Sequence, residues 1–260
     1  MTDVIYEPRG RAGEYAQLAC NLYQGCSHGC GYCYVPIIRR IDRDTFHRVT
    51  GPRKDIIRQL EKACQKRTGE PRPVHLCFTC DPYQPTELPD RSGPADYHDV
   101  TREALEMLEY YHMNVQILTK GGMRAARDFD LMERNGWTFG TTLHLSQLDD
   151  QRKWEPHAAG ISDRINAIEL AKSMGIRTWV SVKPVLDPDQ ALHIIRILKP
   201  LVDFWKIGKI NHGFKIHPHL GAIERDTNWE HFVKTTRKIL NGKEYIIKKD
   251  LLNWVQEDRS

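Results

Sequence analysis

The sequence predicts an α/β fold in which six parallel strands alternate with helices within one domain over 1–260. Three observations predict it. The chain has 260 residues, 40% of them hydrophobic, enough for one sizeable core. Short apolar runs ending in turn residues recur between amphipathic stretches. No internal repeat, low-complexity linker or composition shift marks a boundary.

Residues 16–22 read as a short strand feeding a glycine-rich loop. A helix follows at 52–67, with Ile56, Ile57, Leu60 and Ala63 on one face and charges on the other. Residues 73–79 form the second strand, and Asp99 caps a helix running to about 111. The third strand, 114–119, stops at Lys120-Gly-Gly. The pattern then repeats as helix 123–135, strand 137–143, helix 162–174, strand 177–182, helix 188–198 and strand 204–210. Crossovers between parallel strands are right-handed, so the series curls into a barrel or a doubly wound sheet, and periodicity does not choose between them. A last helix at 229–240 and the tail Tyr245-Ile-Ile-Lys-Lys-Asp-Leu-Leu are expected to cover part of the opening or the barrel floor.

No apolar run approaches the roughly 20 residues of a membrane span, so no membrane partner is expected. The net charge of +4 suits a nucleic-acid or phosphate-bearing partner without requiring one. The chain opens without an apolar signal segment and carries seven cysteines, an odd number, which points to a reducing cytoplasm.

Cys26, Cys30 and Cys33 fall in Asn21-Leu-Tyr-Gln-Gly-Cys-Ser-His-Gly-Cys-Gly-Tyr-Cys-Tyr-Val-Pro36, spaced C-x3-C-x2-C. A structural zinc site needs four ligands; His28 could supply the fourth, but such bunching departs from paired zinc knuckles. Three thiolates can instead hold three corners of a cubane iron–sulfur cluster, leaving one iron with an open position.

This spacing, with Tyr32 directly before the last cysteine, resembles the radical S-adenosylmethionine (SAM) superfamily. Tyr23-Gln-Gly-Cys-Ser-His-Gly-Cys, Asp81-Pro-Tyr-Gln-Pro-Thr-Glu87, Leu118-Thr-Lys120 and Trp154-Glu-Pro-His157 leading into Asp163-Arg164 are similar to its spore photoproduct lyase related group. The resemblance runs from about Tyr6 to the last strand, and it omits the extra amino-terminal region of that lyase, so DNA repair is not carried over. It implies a partial TIM barrel, (β/α)6 with parallel strands, over about 16–211, and a C-terminal helical extension over about 212–260. It also implies a [4Fe–4S] cluster on Cys26, Cys30 and Cys33, with SAM on the open iron and an electron donor such as flavodoxin or ferredoxin. SAM would be cleaved reductively to a 5′-deoxyadenosyl radical that abstracts hydrogen from substrate.

In a parallel barrel, site groups gather at the carboxyl ends of the strands. There the resemblance gives Lys120 as partner of the SAM carboxylate, Thr141 or Thr142 as its methionine or ribose contact, Tyr32 beside the adenine and Arg164 as a further contact. Each has a bland alternative: a solvated lysine before a turn, ordinary strand threonines, a salt-bridged arginine. Asp81 is a site candidate against a turn cap. Cys80, where related sequences tend to carry threonine or serine, is the candidate hydrogen-atom donor, ahead of Cys77, Cys64 and Cys20; a small semi-buried packing residue is its alternative. Lys183 and Pro184, and Lys206, Lys209 and Asn211, are placed to grip a substrate phosphate or carboxylate.

Three substrate classes stay open: a nucleobase or nucleoside, free or in nucleic acid; a peptide or small metabolite; or no substrate at all, in a zinc- or cluster-bearing interaction protein.

Overall fold

Seven strands form one sheet in a computed structural model that describes residues 3–85, 98–210 and 212–255. They are β1 (Leu18–Cys20), β2 (Val74–Leu76), β3 (Val115–Thr119), β4 (Thr138–Thr142), β5 (Arg177–Val182), β6 (Phe204–Ile207) and β7 (Glu244–Ile247). All neighbours are parallel, and spatial order equals chain order. A doubly wound sheet reverses its order at a switch point. Here each right-handed crossover adds its strand on the same side, so the sheet curls into a partial barrel.

The six expected strands are present, the first two trimmed to three residues each. The tail differs from expectation. Glu244-Tyr-Ile-Ile pairs with β6 from Phe204↔Glu244 to Ile207↔Ile247, so the extension contributes a seventh strand rather than a cover. Its crossover helix, Trp229–Ile239, buries Trp229, Phe232 and Val233.

Helix boundaries follow local chemistry. Helix Ile56–Gln65 buries Ile56, Leu60, Ala63 and Cys64. Asp99 lies in the first turn of helix His98–Tyr110 rather than before it. The expected helix 123–135 begins as a 3-10 stretch, Gly122–Asp128, and becomes α-helical over Phe129–Asn135. Asp187 accepts from the backbone N–H groups of Asp189 and Gln190 and starts helix Pro188–Leu198. Short helices that periodicity does not predict follow the cysteine loop (Val35–Arg39, Arg43–Arg48), β4 (Leu148–Trp154) and β6 (Gly213–Ile216, Pro218–Asp226).

One face of the sheet carries Leu18, Val74, Leu76, Val115, Ile117, Phe139, Val180 and Ile207, all buried in the main core. Each such side chain contributes roughly 1.5–3 kcal/mol. The interior is more polar: Gln116 bonds the His75 ring at 2.9 Å, and Lys206 donates to the Tyr15 carbonyl. Tyr15 packs edge-on against His75, Phe78 and Trp179.

Tyr15 belongs to an amino-terminal strap that joins the two edges of the sheet. At one edge Tyr6 exchanges backbone hydrogen bonds of 3.0 and 2.9 Å with Ala19 of β1. Beyond β7, Lys248 donates to the Arg11 carbonyl at 2.5 Å and the Lys249 N–H donates to Glu14 at 3.0 Å. No helix among the described residues is long and apolar enough to cross a membrane.

Candidate active site

The carboxyl ends of the strands open into a cavity of about 510 Å³, within the roughly 300–1,000 Å³ of small-molecule sites. It is lined by Cys26, Cys30 and Cys33 of the loop after β1, Cys77 to Asp81 after β2, Lys120 after β3, Thr142 at the end of β4, Ser181 of β5 and Lys183 just after it.

The loop is held from three sides. From helix Arg43–Arg48, Arg43 donates to the Cys30 and Cys33 carbonyls at 3.1 and 2.7 Å, and the His47 ring bonds the Cys26 carbonyl at 2.8 Å. The Ser27 N–H donates to Gln84 at 2.6 Å. From the segment after β4, the Trp154 carbonyl accepts from the Gly31 N–H at 2.8 Å, and the His157 N–H donates to the His28 carbonyl at 3.2 Å. This packing explains the glycines: Gly29 sits at φ +65°, and a Cβ on Gly31 would lie 3.0 Å from the Trp154 ring.

Burial pushes the Cys26, Cys30 and Cys33 thiols up, Cys30 to about 12. Ionising them therefore requires a cation, and Lys120 pulls in that direction at Cys30 and Cys33. Backbone N–H groups of His28 and Val35 point at the Cys26 and Cys33 sulfurs and also favour thiolate. Among the described residues, no three His, Cys, Asp or Glu side chains converge on a position for a single metal ion. The donor set, three thiols facing shared space with a cation beside them, fits a larger iron–sulfur cluster with room on its open side.

Asp81 organises the opposite rim. It accepts from the Thr119 hydroxyl at 2.6 Å and from the N–H groups of Lys120 and Tyr83 at 2.7 and 2.9 Å, and it faces the His28 ring at 3.4 Å. Burial alone would raise its carboxyl, but His28 and these donors hold it below the ordinary value. Asp81 thus fixes the main chain at the base of Lys120, combining the turn role with a positioning role. The Lys120 ammonium lies 5.7 Å from the Tyr32 ring centroid and, among the described residues, meets no carboxylate within 4.0 Å. It can receive one from a ligand.

Arg164, expected as a direct contact, does not line the cavity. It is fully buried, with Nε donating to the Ala159 carbonyl at 2.7 Å, Nη1 to the Thr142 carbonyl at 2.8 Å and Nη2 to Glu155 at 2.5 Å. Glu155 also accepts the Tyr32 hydroxyl, and the His144 ring bonds that hydroxyl at 3.2 Å. Although burial opposes its charge, Arg164 and His144 keep the Glu155 carboxyl well below its usual range. Arg164 therefore acts through Glu155 on Tyr32. Thr141 is likewise spent within the sheet, donating to the Thr119 carbonyl at 2.8 Å, whereas Thr142 lines the cavity.

Cys80 and Cys77 both line the cavity, with Cys80 the hydrogen-bond neighbour of the Cys77 thiol; Cys64 and Cys20 lie elsewhere in the core. Of the basic candidates, Lys183 lines the cavity, as does Pro184. Lys206 is buried beneath Tyr15, Lys209 pairs with Glu224, and Asn211 falls outside the described residues. Glu155 and His144 are the site residues that reading single residues misses; Glu155 lies in Trp154-Glu-Pro-His157, but the Tyr32 hydroxyl that it accepts and that the His144 ring also meets comes from the cysteine loop, far away in sequence.

A family model described as the radical SAM superfamily matches residues 20–199. The uncharacterized protein ORF301 of Acidianus two-tailed virus is 24% identical over 206 residues, 71% of this chain and 63% of that protein. A spore photoproduct lyase variant with AdoMet and dinucleoside spore photoproduct bound superposes with a TM-score of 0.67 at 13% identity, over 94% of this chain and 78% of the lyase. Streptococcus suis SuiB bound to SAM gives 0.60 at 10% identity, and SuiB bound to its precursor peptide SuiA gives 0.59 at 13%. Each covers 91% of this chain, which spans about half the length of SuiB. At these identities the likeness is one of fold.

Proposed function

The chain belongs to the radical SAM superfamily, and from that premise we propose that it holds a [4Fe–4S] cluster on Cys26, Cys30 and Cys33 and cleaves SAM reductively to start radical chemistry on a substrate. The observation that carries this reading is the meeting of those three thiols with the Lys120 ammonium, which has no carboxylate partner among the described residues, in one cavity at the strand ends. When bound, the cluster supplies the electron, drawn from a flavodoxin or ferredoxin, that divides SAM into methionine and a 5′-deoxyadenosyl radical.

The chain's own residues bind, orient and shield. Lys120 pairs with the SAM carboxylate. Tyr32, fixed through Glu155 by Arg164, offers a ring at the adenine side, and Thr142 offers its hydroxyl to the methionine or ribose part. Asp81 sets the main chain beneath Lys120. Cys80, with Cys77 beside it, is the thiol positioned to return a hydrogen atom to the substrate radical. We place the protein in a reducing cytoplasm on its odd number of cysteines, seven.

For the substrate we favour a nucleobase or nucleoside, free or in nucleic acid. Half-buried Tyr6, Tyr34 and Phe78 line the cavity and give flat faces for a base to stack on, and the lyase whose fold is similar binds a dinucleoside photoproduct. The second reading, a peptide, takes its support from the fold shared with SuiB, which binds a precursor peptide. Anaerobic reconstitution followed by SAM and reductant tests the core of the proposal. We expect a brown protein that forms 5′-deoxyadenosine, with turnover raised by nucleosides or oligonucleotides rather than by peptides. If the reconstituted protein releases no deoxyadenosine, the assignment fails.

A further inference from the structure

Charge around the cavity is unbalanced. Arg9, Arg11, Lys120 and Lys183 line it, whereas among the described lining residues Asp81 is the one carboxylate, and both of its oxygens are committed to Thr119, Lys120 and Tyr83. Lys120 is taken up by the reading above. Lys183 is left over. It follows the end of β5, two strands along the sheet from Lys120 at the end of β3, which is roughly 10 Å at the usual strand spacing.

Among the described residues Lys183 has no hydrogen-bond or ion-pair partner, and its surroundings are mostly cationic or apolar. The groups facing it are Arg11 and Glu14 from the strap, Lys248 and Asp250 from the segment after β7, and His212 from the segment after β6. Of their carboxylates, Glu14 accepts from the Lys249 N–H at 3.0 Å and lies 3.9 Å from Lys248, while Asp250 lies 3.5 Å from Arg11 and, among the described residues, accepts no hydrogen bond. What remains for the Lys183 ammonium is the Tyr15 ring, 5.6 Å away. Burial and the Lys248 charge together push it down to about 7, where an incoming anion would restore its proton.

The backbone makes room for this arrangement. Gly208, just after β6, passes the stems of both lysines: a Cβ there would lie 3.2 Å from Lys183 Cδ and 3.0 Å from Lys248 Cδ. A lysine meant only for solvent needs no such channel. We propose that Lys183 is the seat of an anionic group, phosphate or carboxylate, carried by the substrate, with Arg9 and Arg11 at the mouth of the same seat. This rests on the cavity being the reaction site. It adds that the substrate is charged and that its charge lies two strands away from the SAM carboxylate.

The reactivity of the Lys183 amine tests the proposal in the reconstituted protein. With acetic anhydride at neutral pH and peptide mass spectrometry, Lys183 should acetylate faster than the exposed lysines. Inorganic phosphate or citrate, at about ten times its dissociation constant, should slow that reaction about tenfold, as mass action requires. Protection by phosphate alone identifies a phosphoryl seat, by citrate alone a carboxylate seat, and by both a seat for either; all three support the proposal. A Lys183 that fails to react, or that neither anion protects, overturns it. So does equal protection by SAM alone, which would move Lys183 into the SAM seat. The footprint does not depend on SAM turnover, so an absence of deoxyadenosine would sink the earlier reading and leave this result standing.

Discussion

Arg164 and Glu155 meet at 2.5 Å through Nη2 and Oε2, with side-chain exposures of 0% and 1%. An ion pair this deep is not in itself a source of stability, because both charges have lost their water; its value lies in being complete. Arg164→Met leaves Glu155 buried without its main counter-charge, and we expect a loss of about 3–5 kcal/mol in urea unfolding. Glu155→Leu should cost a similar amount. The double variant should lie closer to the original protein than either single one, and simple addition of the two losses would show that the side chains act independently.

The same pair positions Tyr32, since Glu155 accepts its hydroxyl. In variants that remain folded, Glu155→Gln should weaken SAM binding about tenfold or less while leaving iron content intact. Equilibrium dialysis with SAM and iron analysis separate these effects. Iron lost in step with SAM would instead put Glu155 in support of the cluster loop.

Five cysteines border the cavity, and the proposal divides them. Cys26→Ala, Cys30→Ala and Cys33→Ala should each lose the visible absorption of the cluster and most of about four irons per chain. Cys77→Ala and Cys80→Ala should keep both, because their thiols stand beside β2 rather than in the glycine-rich loop. A cluster that survives in any of the first three, or is lost in either of the last two, would redraw the ligand set.

The division between legible and illegible residues has a physical basis. That Cys26, Cys30, Cys33 and Lys120 meet in one cavity is legible because each stands in a short local pattern, a cysteine spacing or a strand end before a glycine turn. Arg164 is misplaced from sequence alone because its three partners, Ala159, Thr142 and Glu155, are main-chain and side-chain atoms whose directions depend on the tertiary fold. The seventh strand is hidden for a related reason: Glu244-Tyr-Ile-Ile is short, and only its pairing with β6 tells an edge strand from an apolar tail. Five short helices after strand ends escape periodicity because they span too few residues to show a repeat.

Gly140, inside β4, is a glycine that only the structure explains. Its bare α-carbon lies under Trp179, whose Nε1 donates to the Ile117 carbonyl at 2.9 Å; a Cβ would fall 2.3 Å from the indole. Gly140→Ala must displace the ring or the strand. We expect destabilisation at or above the roughly 1–3 kcal/mol usual for overpacking, together with a shifted tryptophan emission maximum. An unchanged unfolding midpoint would mean that Trp179 has a second comfortable position.

Lys206 makes one contribution of definite sign to the pH dependence of stability. The residue is 3% exposed, and its ammonium donates to the Tyr15 carbonyl and lies 4.9, 4.6 and 5.3 Å from the ring centroids of Tyr15, Trp179 and Phe204. The ring faces favour the charge, but burial and nearby Lys248 outweigh them and push the group down to about 7. In the unfolded chain lysine titrates near 10.4. Between those values the unfolded state holds a proton that the folded state has released, so folding stability rises with pH across that window. One such group contributes a slope of up to about 1.4 kcal/mol per pH unit. Urea unfolding between pH 7.5 and pH 9.5 should therefore give a stability slope more positive, by up to one proton's worth, in the original protein than in Lys206→Met. Lys183 and Lys248, depressed by burial, add slope of the same sign, and the buried thiols raised above their ordinary value add slope of the opposite sign, so the comparison with Lys206→Met isolates the one group. If Lys206→Met leaves the slope unchanged, the rings and the Tyr15 carbonyl hold the ammonium charged in the folded barrel, and the strap is pinned by an ion rather than by a neutral amine.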